Sequence, residues 1–253
     1  MKLPYFLPIL LLTISCGGNT TPSDTETSDV SATQAAAAVQ QDAADRKNYS
    51  SHHQITQATK ADFEKAAAKQ TAGFSRQPAD ARKANGVLQL KINGKWQSMP
   101  AFKDTLLNTD NPEQQEFQYL GHHPAMNLYL VAGLYFEDYK TFLIHKATGQ
   151  ILAETWTEPI PSPDLKFLAN ISVPTHMEPA PNGVQVWRVV PKGKSITVEK
   201  HLQLEPKDWV PFELAWESAQ SLIVKTMPRT QFDGLEGQPK EEEFSYLRLS
   251  IKE

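Results

Sequence analysis

The sequence predicts an all-β fold, an antiparallel meander of about three propeller-blade-like units that form a partial propeller or a sandwich, behind a disordered tether and a short helix. Three observations carry this reading. All five tryptophans, Trp96, Trp156, Trp187, Trp209 and Trp216, lie beyond residue 95 with most of the phenylalanines and tyrosines, which places the core in the C-terminal part. Apolar and polar residues alternate there in short runs bounded by Gly, Pro and Asn, the pattern of half-buried strands. Three segments that each read as a tight turn entering an apolar strand can be laid over one another.

The first element is a leader. Lys2 precedes an apolar run from Leu3 to Ile14, interrupted by Pro4 and Pro8, and then come Ser15 and Cys16. A run of about a dozen residues is shorter than the roughly 20 that a spanning helix needs, so residues 1–15 read as a signal peptide rather than a permanent span. Leu12-Thr13-Ile14-Ser15-Cys16 resembles the lipobox of bacterial lipoproteins, with Thr13 where that pattern usually carries leucine. The resemblance implies that the Cys16 thiol is acylated and that Cys16 becomes the first residue after cleavage. It also implies a lipid-anchored protein of the bacterial cell envelope, most simply of the outer membrane, because two or more acyl chains at about 0.8 kcal/mol per buried methylene give stable anchoring. Cys16 is the sole cysteine, which excludes an intrachain disulfide framework.

Residues 16–58 form the second element. From Gly17 to about Ala58 the chain is rich in Ser, Thr, Ala, Gln and Asp, contains no Leu, Phe or Trp, and so has little apolar area to offset chain entropy. It reads as a disordered polar tether. Residues 59–85 follow as a short helix and a loop. Thr59 and Asp62 have capping-box spacing ahead of Phe63 and the run Ala66 to Ala68, while Pro78 and its charged neighbours read as loop. The β-rich domain is then expected over residues 86–253.

In that domain Leu88, Leu90 and Ile92 alternate with Gln89 and Lys91 before Asn93-Gly94, a strong hairpin signal, and Trp96 lies on the return strand. Further strands are predicted at Leu128 to Val131, Thr141 to Ile144, Val184 to Val190, Ile196 to Leu204, Leu222 to Lys225 and Phe244 to Ile251. The three superposable segments begin at His123, Ser162 and Glu217, and two of the units continue into second hairpins at Ala147 to Gln150 and Pro191 to Lys194. The segment Ser162-Pro163-Asp164-Leu165-Lys166 is similar to the Ser-Pro-Asp-Gly-Lys turn of TolB-type and WD40-like β-propeller repeats, with Leu165 in place of glycine. That resemblance implies a platform for protein or ligand binding and supplies no catalytic residues.

The chemistry-bearing residues exclude more than they assign. Net charge is −4 and the basic residues are scattered along the chain, so nucleic acid is not expected as a partner. Pro191-Lys192-Gly193-Lys194-Ser195 ends like a phosphate-binding loop, but Arg188 stands where the first glycine belongs and a strand follows instead of a helix. No Gly-x-Ser-x-Gly elbow or His-Glu-x-x-His helix occurs. Adjacent His122 and His123 on a strand face opposite sides, and His145, His176 and His201 lack ligand spacing, so no metal or cofactor is expected. The run Lys240 to Glu243 reads as a solvated loop.

Trp156, Trp209 and Trp216 remain as candidate ligand or partner contacts, because an exposed indole stacks on sugar rings and anchors protein partners. The sequence therefore leads to the expectation of a non-enzymatic binding or scaffold module for an envelope protein or glycan, tied to the membrane through lipid on Cys16. Two alternatives accompany it. One is an envelope hydrolase with dispersed acidic residues. The other is a structural component of an outer-membrane assembly.

Overall fold

Alternating residues become antiparallel ladders throughout the computed structural model, which describes residues 53–70, 72–106, 111–174, 180–193 and 195–252. Cys16, His176 and Lys194 lie outside the described residues, as do the leader and the tether up to residue 52. The chain is all-β, built of four antiparallel sheets.

The first sheet contains β2 (Ala81–Ala84), β3 (Val87–Ile92) and β4 (Lys95–Lys103). The second is a meander of β5 (Gln115–His123), β6 (Leu128–Tyr135), β7 (Asp138–His145) and β8 (Ile151–Thr155). The third is another, of β9 (Ile160–Pro161), β10 (Phe167–Ser172), β11 (Gly183–Lys192) and β12 (Ser195–Leu204). The fourth contains β13 (Trp209–Ser218), β14 (Ser221–Pro228) and β15 (Ser245–Ile251), and its outer position is filled by the N-terminal strand β1 (His53–Ala58). Two helices complete the description, α1 (Lys60–Ala67) and α2 (Arg229–Asp233).

The three superposable segments occupy equivalent places, the hairpins β5–β6, β9–β10 and β13–β14, each joining the first and second strands of a four-stranded sheet. The second hairpins at Ala147 to Gln150 and Pro191 to Lys194 join third to fourth strands. In the Ser162 turn the Ser162 hydroxyl bonds Asp164 at 2.8 Å and accepts the Phe167 N–H at 3.0 Å, while Leu165 takes φ of 61°. A leucine here adopts the left-handed conformation that glycine occupies without strain. Asn93 and Gly94 both have positive φ, as a two-residue hairpin of the type matching strand twist requires.

Packing runs in chain order. Leu88, Leu90, Ile92 and Phe102 of the first sheet meet Phe117, Tyr129, Val131 and Ile144 of the second. Leu128, Leu130, Leu143 and Ala153 on the other side of the second meet Leu168, Trp187 and Val198 of the third. Phe167, Val184, Val186 and Leu202 of the third meet Leu214, Trp216, Leu222 and Leu249 of the fourth. Helix α1 covers the fourth with Phe63 and Ala66 against Ala215, Ile223 and Tyr246. Among the described residues no core cluster joins the first sheet to the last, so the arrangement is an open stack of blade-like sheets whose last member is closed over by a helix.

Two boundaries differ from the sequence-based expectation. The tether was expected to extend through residue 58, yet His53–Ala58 is a strand in register with all of Tyr246 to Ile251. It is an edge strand in which only Ile55 is strongly apolar, and it is held by its backbone ladder, which composition does not reveal. Ala81–Ala84, expected as loop, pairs with β3 across the Asn85-Gly86 turn, so the sheet domain begins well before Gly86. The helix follows its expected capping: the Asp62 N–H donates to the Thr59 hydroxyl at 3.1 Å and the Thr59 N–H to the Asp62 carboxylate at 3.0 Å.

Candidate functional site

The interface between the second and third sheets changes from apolar to polar along four strands at once. Leu143 pairs with Ala153 and Leu168 with Trp187, giving an apolar tier. Two residues along each strand, on the same faces, Thr141 pairs with Thr155 and Asn170 with Gln185. A further step reaches Tyr139, Ser172 and Gly183 at the mouth. Thr141, Thr155, Asn170, Ser172 and Gln185 are five of the nine buried polar residues among those described. Sheets that only pack together have no need of such a layer, since each buried polar group must be hydrogen-bonded or costs free energy.

Above this layer opens a cleft of about 830 Å³, lined by Tyr139, Lys140, Glu154, Trp156, Gln185 and Lys200 among others. Its floor is tied together. The Thr141 hydroxyl bonds that of Thr155 and donates to the Thr157 carbonyl at 2.9 Å, and the Thr157 hydroxyl donates to the Ile171 carbonyl at 2.6 Å. The Gln185 carboxamide accepts the Trp156 N–H at 3.2 Å and donates to Gln203 at 3.0 Å, so one buried side chain fixes the backbone from which the indole projects. The Lys200 ammonium, 2.7 Å from the Gln203 carboxamide oxygen, lies 5.2 Å from the centre of the Trp187 ring. Gly183 is required at the mouth, because a Cβ there would fall 1.8 Å from the Leu204 carbonyl oxygen.

The charged rim is paired. Lys140 lies 2.9 Å from Glu154 and 3.7 Å from Asp138, and the Glu154 contact is the main cause that holds its ammonium above the ordinary lysine range. Tyr139 is 41% exposed, and the pKa of its hydroxyl is raised by partial burial first and by Glu158 second. The cleft thus offers aromatic faces, amide and hydroxyl donors and acceptors, and charges of both signs.

The three expected tryptophans separate. Trp156 is half-buried and lines this cleft. Trp209 is half-buried on a different groove, of about 620 Å³, with Ile55, Pro206, Pro228 and Leu247. Trp216 is core: it is 1% exposed, lies 6.5 Å from Phe167 in a stacked orientation, and donates its indole N–H to the Ile160 carbonyl at 2.9 Å. Its side chain, on a strand of the fourth sheet, is sealed against the third, which removes it from the candidate contacts. Cys16 lies outside the described residues.

Among the described residues the histidines do not gather at one site. His123 is buried beside Phe74, its Nδ1 accepts the Met126 N–H at 3.2 Å, and burial lowers its pKa. The Nδ1 of His145 lies 3.0 Å from the Thr148 hydroxyl and the Nε2 of His201 lies 3.1 Å from the Lys252 carbonyl. Among the described residues no three His, Cys, Asp or Glu side chains are grouped to hold a metal ion. The carboxylate of Glu241, expected in a solvated loop, instead joins three elements: it accepts from the Tyr246 hydroxyl at 2.7 Å and meets Lys225 at 3.1 Å and Lys60 at 3.3 Å.

Sequence reasoning missed Tyr139, Gln185 and Lys200. Each is unremarkable alone, and the only signal was the step from Leu143 to Thr141 to Tyr139 and from Trp187 to Gln185, legible once the strand partners are known. By fold the protein is a stack of blade-like sheets with an amide-floored aromatic cleft between its middle members. No known family model, curated protein or solved structure matches the chain.

Proposed function

We propose that the chain is a lipid-anchored binding protein of the bacterial cell envelope, held through Cys16, that takes up a glycan in the cleft between its second and third sheets. The observation that carries the reading is the pairing of Trp156 and Tyr139 with a buried amide and hydroxyl floor. A sugar ring presents an apolar face and a girdle of hydroxyls, so a site for it combines a stacking aromatic with fixed donors and acceptors. Gln185 is already anchored by its bonds to the Trp156 N–H and Gln203, and Thr141, Thr155 and Thr157 by bonds to one another, which lowers the ordering cost of binding. The Lys140–Glu154–Asp138 pairing keeps the rim carboxylates engaged in ion pairs, an arrangement suited to orienting hydroxyls. The leader ending at Cys16 supports the envelope location, and the turn at Ser162 supports the platform role that its resemblance implies.

The test is calorimetric titration of the protein with soluble oligosaccharides cut from bacterial envelope polymers. Binding of one class is expected, weakened at least ten-fold by Trp156→Ala and unaffected by Trp209→Ala, with the melting temperature of both variants within a few degrees of wild type. Titrations in which no envelope oligosaccharide binds, or in which Trp156→Ala binds as wild type does, would refute the assignment. The anchor is tested separately by membrane fractionation, where Cys16→Ser should move the protein out of the membrane pellet.

A further inference from the structure

The first sheet carries a charge imbalance that the cleft does not use. Residues 81–103 contain Arg82, Lys83, Lys91, Lys95 and Lys103 and no acidic residue, in a chain with net charge −4. Lys83 is paired with Asp104, and Lys91 lies 3.9 Å from Asp80, which also takes Lys146. Arg82, Lys95 and Lys103 have no carboxylate partner among the described residues; the Arg82 side chain donates to the Gln89 carboxamide at 2.7 Å instead.

Strand register gathers part of this charge on one face. Arg82 pairs with Gln89, Gln89 with Ser98, Lys91 with Trp96 and Val87 with Lys103, so Arg82, Lys91, Trp96, Ser98 and Lys103 share the face opposite Leu88, Leu90 and Ile92, whereas Lys83 and Lys95 pair with Leu88 and Ile92 and lie on the other. Trp96 is 40% exposed, with the Arg82 guanidinium 4.2 Å and the Lys91 ammonium 5.6 Å from its ring centre. The first sheet is an end of the stack. The outer face of the fourth sheet, at the other end, is covered by α1, whereas Arg82, Trp96 and Ser98 are left exposed.

We propose that this outer face of the first sheet docks on the surface of an anionic lipid bilayer, with Trp96 at headgroup level and Arg82, Lys91 and Lys103 reaching lipid phosphates. Charge complementarity carries the choice of occupant. A tryptophan flanked by cations matches the interface of a bilayer, where amphipathic rings and basic side chains both concentrate. The face is an open sheet surface without converging donors, so it suits a plane of charge better than a single enclosed anion. The three cations of this face are also fewer than the roughly six to ten phosphate contacts of a typical nucleic-acid binder. The envelope anchor would bring this face to a membrane, but the affinity argued here belongs to the sheet itself and does not depend on acylation of Cys16.

The experiment is cosedimentation of the full chain carrying Cys16→Ser, so that no thioether lipid contributes, with vesicles of phosphatidylcholine alone or containing about 30% phosphatidylglycerol. Each basic residue near an anionic surface contributes about five-fold in partition, corresponding to about 1 kcal/mol. The triple variant Arg82→Gln, Lys91→Gln, Lys103→Gln should therefore lose at least about 25-fold on anionic vesicles and nothing on neutral ones. Trp96→Ala should lose binding to both in proportion to its insertion, and raised salt should erase the difference between the two lipid compositions. Because every variant shares the N-terminus, any contribution of the leader cancels. Equal partition of wild type onto both vesicle types, or a triple variant that binds as wild type does, overturns the proposal. Loss of heparin binding by the triple variant without a change on vesicles also overturns it, in favour of a soluble polyanion. Melting curves of the variants should match wild type, and oligosaccharide titration of the same variants should be unchanged, which separates failure here from failure of the cleft assignment.

Discussion

Replacing Trp216 by phenylalanine separates a core tryptophan from a contact tryptophan. The indole is 1% exposed, and its N–H donates to the Ile160 carbonyl at 2.9 Å, joining β13 to the first strand of the third sheet. Phenylalanine keeps the stacking on Phe167 but removes the donor, leaving a buried carbonyl short of a partner at a cost of about 1–3 kcal/mol. The smaller ring also leaves a void, and at about 24 cal/mol per Å³ a loss of roughly 40 Å³ adds about 1 kcal/mol. The sum is about 2–4 kcal/mol. For a domain of about 200 residues, 1 kcal/mol moves the melting temperature by about 2–4 °C, so Trp216→Phe should melt about 4–16 °C below wild type. Calorimetry or circular dichroism reads the shift, and oligosaccharide titration well below the melting point should give wild-type affinity. A melting temperature within about 1 °C of wild type, or lost binding without lost stability, would refute the assignment of Trp216 to the core.

Further outcomes follow from the same geometry. Both polar atoms of the Asn170 carboxamide are buried without a partner among the described residues, so Asn170→Leu, of nearly equal volume, should raise unfolding free energy by about 1–3 kcal/mol in urea titration; a decrease would show that the amide is satisfied in solution. A chain beginning at residue 59 lacks β1 and exposes the β15 edge, so it should lose on the order of 2 kcal/mol and aggregate on heating sooner than a chain beginning at residue 46, as light scattering would show. Below neutral pH the fourth sheet should loosen. Asp62 is held below its ordinary pKa by the Thr59 hydroxyl, Glu217 by Arg248, and Glu241, to about 2, by the Tyr246 hydroxyl. Depressed folded-state values stabilise above the unfolded values and lose that stabilisation as pH falls from about 4.5 towards 2, so the melting temperature should drop across this window. Glu241→Gln should flatten the drop, and an unchanged acid profile would count against the role of this cluster.

The sheets were legible where a strand carries its own signal. Leu88 to Ile92 alternates and ends at Asn93-Gly94, and both the strand and its hairpin form as the local sequence demands. Thr59 and Asp62 cap α1 because a capping box is satisfied within four residues. What stayed hidden depends on partners distant in sequence. His53–Ala58 reads as tether by composition, and only the open edge of β15, nearly two hundred residues later, makes it a strand. Trp156, Trp209 and Trp216 are alike in sequence, each near the start of a unit, yet one enters a cleft, one lines a groove and one is sealed between sheets. The difference is set by which face of which strand meets a neighbour, and period-two alternation fixes the faces without saying which is covered.

The same reasoning explains why the candidate cleft was illegible as a motif. Its residues come chiefly from β7, β8, β10, β11 and β12 and the segment after β8, no more than three from each, so no local spacing groups them. The stack supplies the grouping. Two sheets that meet through Leu143, Ala153, Leu168 and Trp187 are fixed at one end of their interface, and any polar side chain two residues further along each strand is thereby brought to one layer. Substituting Gln185 tests whether that layer is a site or only a seam. Gln185→Leu would fill the same space while removing the bonds to the Trp156 N–H and to Gln203. If the layer were a seam, apolar replacement would be neutral or stabilising, since the Gln203 carboxamide oxygen keeps Lys200 as donor and the Trp156 N–H opens to water at the cleft. If it is a binding floor, the variant should keep its melting temperature within a few degrees and lose at least ten-fold in oligosaccharide affinity, because the backbone carrying the indole is no longer held in place.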